Sequence, residues 1–154
     1  MPLCLCGIIQ LRASARLNIL MSMQKRTILI IDDDIDLART LRALLEGQGF
    51  AVHLAEESEE GMALARAVRP DLILLDVMMR TPGEGFSAAQ TFKRDAALKE
   101  IPIIMLTAVK EETGFSFDPR EDKDFLPVER FLDKPVDPKK LLEEIRKVLN
   151  LKAG

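Results

Sequence analysis

Asp71-Leu72-Ile73-Leu74-Leu75-Asp76 places four consecutive apolar residues between two carboxylates. A short apolar run with no alternation reads as a strand buried on both faces, as in a parallel sheet covered by helices. Three other segments follow the same plan. Thr27-Ile28-Leu29-Ile30-Ile31 ends in Asp32-Asp33-Asp34, Ile101-Pro102-Ile103-Ile104-Met105-Leu106 ends in Thr107, and Val128-Glu129-Arg130-Phe131-Leu132 leads into Asp133-Lys134-Pro135. Ala51 to Ala55 reads as a fifth, shorter strand.

Amphipathic helices fill the intervals. Leu37, Leu41, Leu44, Leu45 and Gln48 fall on one helical face, with Asp34 as cap and Gly47 and Gly49 as stop signals. Ser58 is placed to cap a second helix, with Glu59 and Glu60 in its first turn, running to about Val68 before Pro70. Gly83 and Gly85 mark a loop before a helix from Phe86 to about Arg94. In the last helix Asp137 caps, Pro138 takes the first position, and Leu141, Leu142, Ile145, Val148 and Leu149 form the apolar face. Glu143 and Lys147 are spaced to pair across one turn. Strands and helices in alternation predict an α/β domain, doubly wound around a parallel sheet.

The chain of 154 residues suits one such domain, with 47% hydrophobic and 31% charged residues and a net charge of −3. No basic stripe marks a nucleic-acid surface, so none is expected as a direct partner. Cys4 and Cys6 are the only cysteines. They are too few for a disulfide framework or a four-ligand metal site, and a cytoplasmic location is expected. Met1 to Leu11 is apolar but too short to span a bilayer, and Arg12 and Arg16 follow it rather than precede it, the wrong order for a secretory leader. Residues 1–24 are expected to be a disordered extension and 25–154 the domain.

In an open parallel sheet, ligands bind beyond the carboxyl ends of the strands. Those ends here carry Asp32, Asp33, Asp76, Thr107 and Lys134. Clustered carboxylates repel one another, and a hard divalent ion with oxygen ligands, Mg²⁺, relieves that conflict. Asp76 is then the candidate nucleophile, forming an acyl phosphate. Thr107 and Lys134 are candidates to stabilise the transferring phosphoryl group.

Ile-Ile-Asp-Asp-Asp at 30–34, Leu-Leu-Asp-Val-Met-Met at 74–79, Leu-Thr-Ala at 106–108 and Phe-Leu-Asp-Lys-Pro at 131–135 together resemble the receiver domain of two-component response regulators. The resemblance covers about Lys25 to Leu149. It implies a flavodoxin-like five-stranded sheet in the order 2-1-3-4-5, and Asp76 as acceptor of phosphate from a sensor histidine kinase or a phosphotransfer protein. It implies Mg²⁺ held by Asp33 directly, by Asp32 mainly through water, by Asp76 and by the Met78 backbone carbonyl. Thr107 and Phe131 take the switch positions, and output passes to a downstream protein partner with no membrane involved. Such a domain is a phosphoacceptor that assists its own phosphorylation and dephosphorylation rather than a turnover enzyme.

The chain departs from the family at three places. Arg80 stands where Asp-Val-Met-Met is usually followed by proline, and the loop to Gly85 is one residue longer. The stretch between Thr107 and Lys134 is also longer and carries Glu111-Glu112-Thr113-Gly114-Phe115-Ser116-Phe117-Asp118-Pro119 in place of a regular fourth helix, so an irregular segment is expected, with Phe115, Phe117 and Phe125 in local packing. With the sequence ending at Gly154, a stand-alone receiver is expected. Met78 and Val109 occupy the two positions that help or hinder the hydrolytic water, and both are apolar, which predicts a long-lived phosphoryl group. His53, the only histidine, is read as structural.

The competing reading is an aspartate-nucleophile, Mg²⁺-dependent phosphohydrolase. Its nucleophile usually ends the first strand in Asp-x-Asp, a spacing found here only in Asp34-Ile35-Asp36, past the strand end. A degenerate receiver serving as a scaffold is a third reading, against which the full set of acceptor residues stands.

Overall fold

The computed structural model describes residues 25–81, 83–108 and 128–151. In chain order they form β1 (Thr27–Ile31), α1 (Ile35–Gly47), β2 (Ala51–Ala55), α2 (Ser58–Val68), β3 (Leu72–Asp76), α3 (Glu84–Arg94), β4 (Ile103–Thr107), β5 (Arg130–Asp133) and α4 (Pro138–Val148). The five strands make one sheet in the order β2-β1-β3-β4-β5, every neighbouring pair parallel. This is the expected fold.

The two-residue period of a strand divides the apolar runs between two cores. Leu29, Ile31, Ile73, Leu75, Ile103 and Met105 face one way and pack with Ala65 of α2 and Ala88, Ala89 and Phe92 of α3. Ile28, Ile30, Leu72, Leu74, Ile104 and Leu106 face the other way and pack with Ala38, Leu41 and Leu45 of α1 and Leu141 and Ile145 of α4. Both faces of β1, β3 and β4 are therefore buried, which is why those strands show no polar alternation.

Local chemistry sets the element ends. Asp34 caps α1 by accepting from the Leu37 N–H at 3.1 Å, and Asp137 caps α4 by accepting from Lys139 N–H at 3.0 Å, with Pro138 in the first turn. Arg69 closes α2 in the left-handed region with φ of 46°.

Several boundaries differ from those expected. β3 starts at Leu72 because the Asp71 carboxylate is occupied in accepting the Thr27 N–H at 2.8 Å. β4 starts at Ile103, after Pro102, which has no N–H to offer a ladder. β5 starts at Arg130, and the side chain of Glu129 accepts the Ile103 N–H at 2.5 Å. Ser58 is the first residue of α2 rather than its cap; Glu57 holds the cap position, and its side chain makes no capping hydrogen bond. Glu144, not Glu143, meets Lys147, at 3.0 Å. The helix expected from Phe86 begins at Glu84. His53 is half-buried on edge strand β2, paired with Leu29. The expectations for 1–24, for the irregular 109–127 segment with its three phenylalanines, and for Val109 lie outside the described residues.

Gly85, in the first turn of α3, sets where that helix starts relative to the sheet. A Cβ there would lie 2.1 Å from the Asp76 carbonyl oxygen and 2.6 Å from Val77 Cα, both backbone atoms that cannot swing aside. Replacing Gly85 with Ala should destabilise the fold by about 1–3 kcal/mol or more through overpacking. A urea denaturation curve with an unshifted midpoint would show that α3 slides away freely.

Candidate functional site

The strand order reverses between β1 and β3: from β1 the chain passes to β2 on one side, then returns to β3 on the other. Crossovers therefore leave in opposite directions and open a crevice above the carboxyl ends of these two strands. Asp32 and Asp33 follow β1, and Asp76 ends β3, in that crevice. Carboxylate oxygens of Asp32, Asp33 and Asp76 all lie within 4.8 Å of one another. Asp32 and Asp76 are almost sealed, at 1% and 2% exposure, and Asp33 is open to solvent.

Lys134, the residue after β5, reaches across to both buried carboxylates. Its Nζ lies 3.1 Å from Asp32 Oδ2 and 3.2 Å from Asp76 Oδ1. The Lys134 backbone N–H donates to the Thr107 carbonyl at 2.8 Å, which fixes the lysine to the end of β4, and the Lys134–Pro135 peptide is cis. Asp32 Oδ1 accepts the Asp34 N–H at 2.9 Å, so both of its oxygens are engaged. Asp76 Oδ1 accepts the Met78 N–H at 3.1 Å. Thr107 pairs in register with Asp133, and Phe131 pairs with Met105 while packing, half-buried, against the α2/α3 core.

The charges here do not balance. Burial pushes the Asp76 carboxyl up, the nearby Asp32 charge pushes it further, and Lys134 with the Met78 N–H only partly opposes them, leaving a pKa of about 6. Burial would lower the Lys134 pKa, but the two carboxylates outweigh it and hold the ammonium above its usual range. Three carboxylates around one ammonium leave net negative charge in a crevice with oxygen donors only, a set suited to a hard divalent cation.

Asp32, Asp33, Asp76 and Lys134 thus gather at the carboxyl end of the sheet, where Met78 follows β3 and Thr107 ends β4, while Phe131 lies further back in β5, against the α2/α3 core. The competing Asp34-Ile35-Asp36 spacing does not act as a unit: Asp34 is used as the α1 cap and Asp36 lies in the first turn of that helix. Three features escaped the sequence reading. One is the Gly85 contact with the Asp76 peptide. The others are an Arg80–Glu57 ion pair and a Ser58–Glu84 hydrogen bond beside the crevice. An arginine standing in the family's proline position was the available signal for the ion pair.

The response regulator receiver domain model matches residues 28–146. The chain belongs to that family. It is 38% identical over 123 residues to protein PilH of Pseudomonas aeruginosa, covering 79% of this chain and 96% of PilH. It is 36% identical over 124 residues to the DNA-binding dual master transcriptional regulator RpaA of Synechocystis, covering 79% of this chain but only 48% of RpaA. Among solved structures, the chemotaxis protein CheY4 of Vibrio cholerae superposes with a TM-score of 0.70 at 26% identity, over 81% of this chain and 99% of CheY4. Among the described residues, no helix is long and apolar enough to cross a membrane.

Two outcomes follow from the charge imbalance. The folded pKa of Asp76 lies above the free value of 3.8, so the unfolded chain loses that proton first as pH rises. Its contribution therefore falls between about pH 4 and 6, and the penalty is complete above that range. Without divalent ions, Asp76→Asn should raise the melting temperature by a few degrees at pH 7.5, with the gain shrinking as pH falls toward 4. A gain that grows on acidification would contradict the assignment. Conversely, Lys134→Met leaves two sealed carboxylates without their cation and should cost about 3 kcal/mol in a denaturant titration at pH 7.5.

Proposed function

We propose that this receiver domain is a Mg²⁺-dependent phosphoacceptor in which Asp76 takes a phosphoryl group from a sensor histidine kinase or a phosphotransfer protein. The observation that carries the reading is the Lys134 ammonium bridging Asp32 and Asp76, with Asp33 open beside them. An Asp76 oxygen attacks phosphorus as the donor's P–N bond breaks, and the bond's electron pair returns to the imidazole. Mg²⁺, when bound, offsets negative charge on the carboxylates and on the equatorial phosphoryl oxygens.

The chain's own residues divide the remaining work. Asp33, solvent-open, and the Met78 carbonyl are the direct metal ligands together with Asp76. Asp32 contributes mainly through water, in keeping with both of its oxygens already having partners. Lys134 moves its attraction from the Asp76 carboxylate to the phosphoryl group, and the Thr107 hydroxyl takes a second phosphoryl oxygen. Thr107 and Phe131 sit on adjacent strands, β4 and β5. Movement of Thr107 toward the phosphoryl group leaves room for the Phe131 ring to turn inward, changing the surface offered to a downstream protein partner. The domain, over residues 25–154, thereby acts as a switch in the cytoplasm rather than as a turnover enzyme.

Incubation with Mg²⁺ and a small phosphodonor should add one phosphoryl group per chain, seen by intact-mass spectrometry. The adduct should be absent in Asp76→Asn and from samples treated with a chelator. Continuous turnover of the donor, without a stable adduct, would favour the phosphohydrolase, and no adduct at all would favour the scaffold. Because Met78 and Val109 offer no hydrogen bond to a water, Met78→Asn with Val109→Glu should shorten the acyl-phosphate lifetime. Equal decay rates in the two proteins would sink that part of the reading.

A further inference from the structure

The loop from Asp76 to α3 is tied sideways to the start of α2. Arg80 Nη2 forms an ion pair with Glu57 Oε1. The next residue, Ser58, donates to Glu84 Oε1 at 3.3 Å, and the other oxygen of Glu84 accepts the Thr81 N–H at 3.4 Å. Two consecutive residues of the β2–α2 junction thus hold both the middle and the end of this loop. On the inner side, Val77 N–H donates to the Leu106 carbonyl at 2.9 Å and Met78 N–H to Asp76. Met79 is buried in the α2/α3 core. Met78 therefore sits between a strand-anchored Val77 and a side-chain-anchored Arg80. Proline would stiffen this position through its fixed φ but could make no tether.

We propose that the Arg80–Glu57 ion pair is a positioning device that sets the Met78 peptide for metal binding, so that Mg²⁺ affinity depends on a cation that is not a ligand. This rests on the reading of the crevice as a Mg²⁺ site with Met78 as carbonyl ligand. The sign of the effect separates positioning from plain electrostatics. Removing a positive charge near a cation site strengthens cation binding by Coulomb attraction alone. Loss of a tether does the opposite, because the free loop must be ordered again when the ion binds.

The full chain contains no Trp or Tyr, so affinity is best read by titration calorimetry with MgCl₂. Arg80→Ala should weaken Mg²⁺ binding by roughly two- to fivefold, the scale of an exposed ion pair. Arg80→Lys, which keeps the pair, should bind like wild type. Arg80→Ala in a Glu57→Gln background should add nothing further. Amide hydrogen exchange at Met78, measured without metal, should quicken in Arg80→Ala and return toward wild type in Arg80→Lys. Binding by Arg80→Ala as tight as wild type or tighter, or unchanged Met78 exchange, overturns the positioning role and leaves the Mg²⁺ site standing. Absence of Mg²⁺ binding in the wild-type chain overturns both.

Discussion

One ammonium holds the carboxyl end of this sheet together. Lys134 comes from the end of β5, yet its partners follow β1 and end β3, so its side chain passes over the end of β4 to reach them. Two carboxylates that each lie almost out of water would repel strongly without it. The pair of 3.1 Å and 3.2 Å contacts makes their burial tolerable but leaves the site short of positive charge. Burial first, and the Asp32 charge after it, raise the pKa of Asp76, and the uncompensated charge makes the crevice suited to a hard cation. A site with balanced charge would be more stable and would offer less attraction to a cation.

The sheet makes this arrangement possible by being covered on both sides. Side-chain alternation in β1, β3 and β4 feeds two separate cores, one under α2 and α3 and one under α1 and α4. With both faces occupied, the strand ends are the remaining place for polar chemistry. The opposite end of the sheet also carries charge, where Lys93 meets the Lys99 and Ile101 carbonyls and Glu129 at 3.4, 3.0 and 3.3 Å. There the Lys93 ammonium is met by three acceptors.

Most of this was legible in the chain because the deciding signals are local. Four apolar runs, each followed by polar residues of particular kinds, give the strands, their parallel character and the clustering of Asp32, Asp33, Asp76, Thr107 and Lys134. What escaped the reading depended on distances between segments remote in sequence. Ser58 looks like a helix cap, but the Glu84 carboxylate 26 residues away draws its hydroxyl instead. Glu144 prevails over Glu143 because it lies within reach of Arg130 on β5 as well as Lys147. Asp71 resembles the first residue of a strand until Thr27 claims its side chain. Gly85 reads only as a loop marker, since nothing in its neighbours reveals that the Asp76 peptide presses against it.

That contact at Gly85 has a consequence for how this loop can change over time. The start of α3 is locked against the peptide that ends β3, so the distance between them is not free to drift. An inserted residue has to be accommodated between Val77 and Gly85, bulging outward over the junction where Glu57 and Ser58 stand. A change in the length or composition of the rim can therefore leave the floor of the crevice in register.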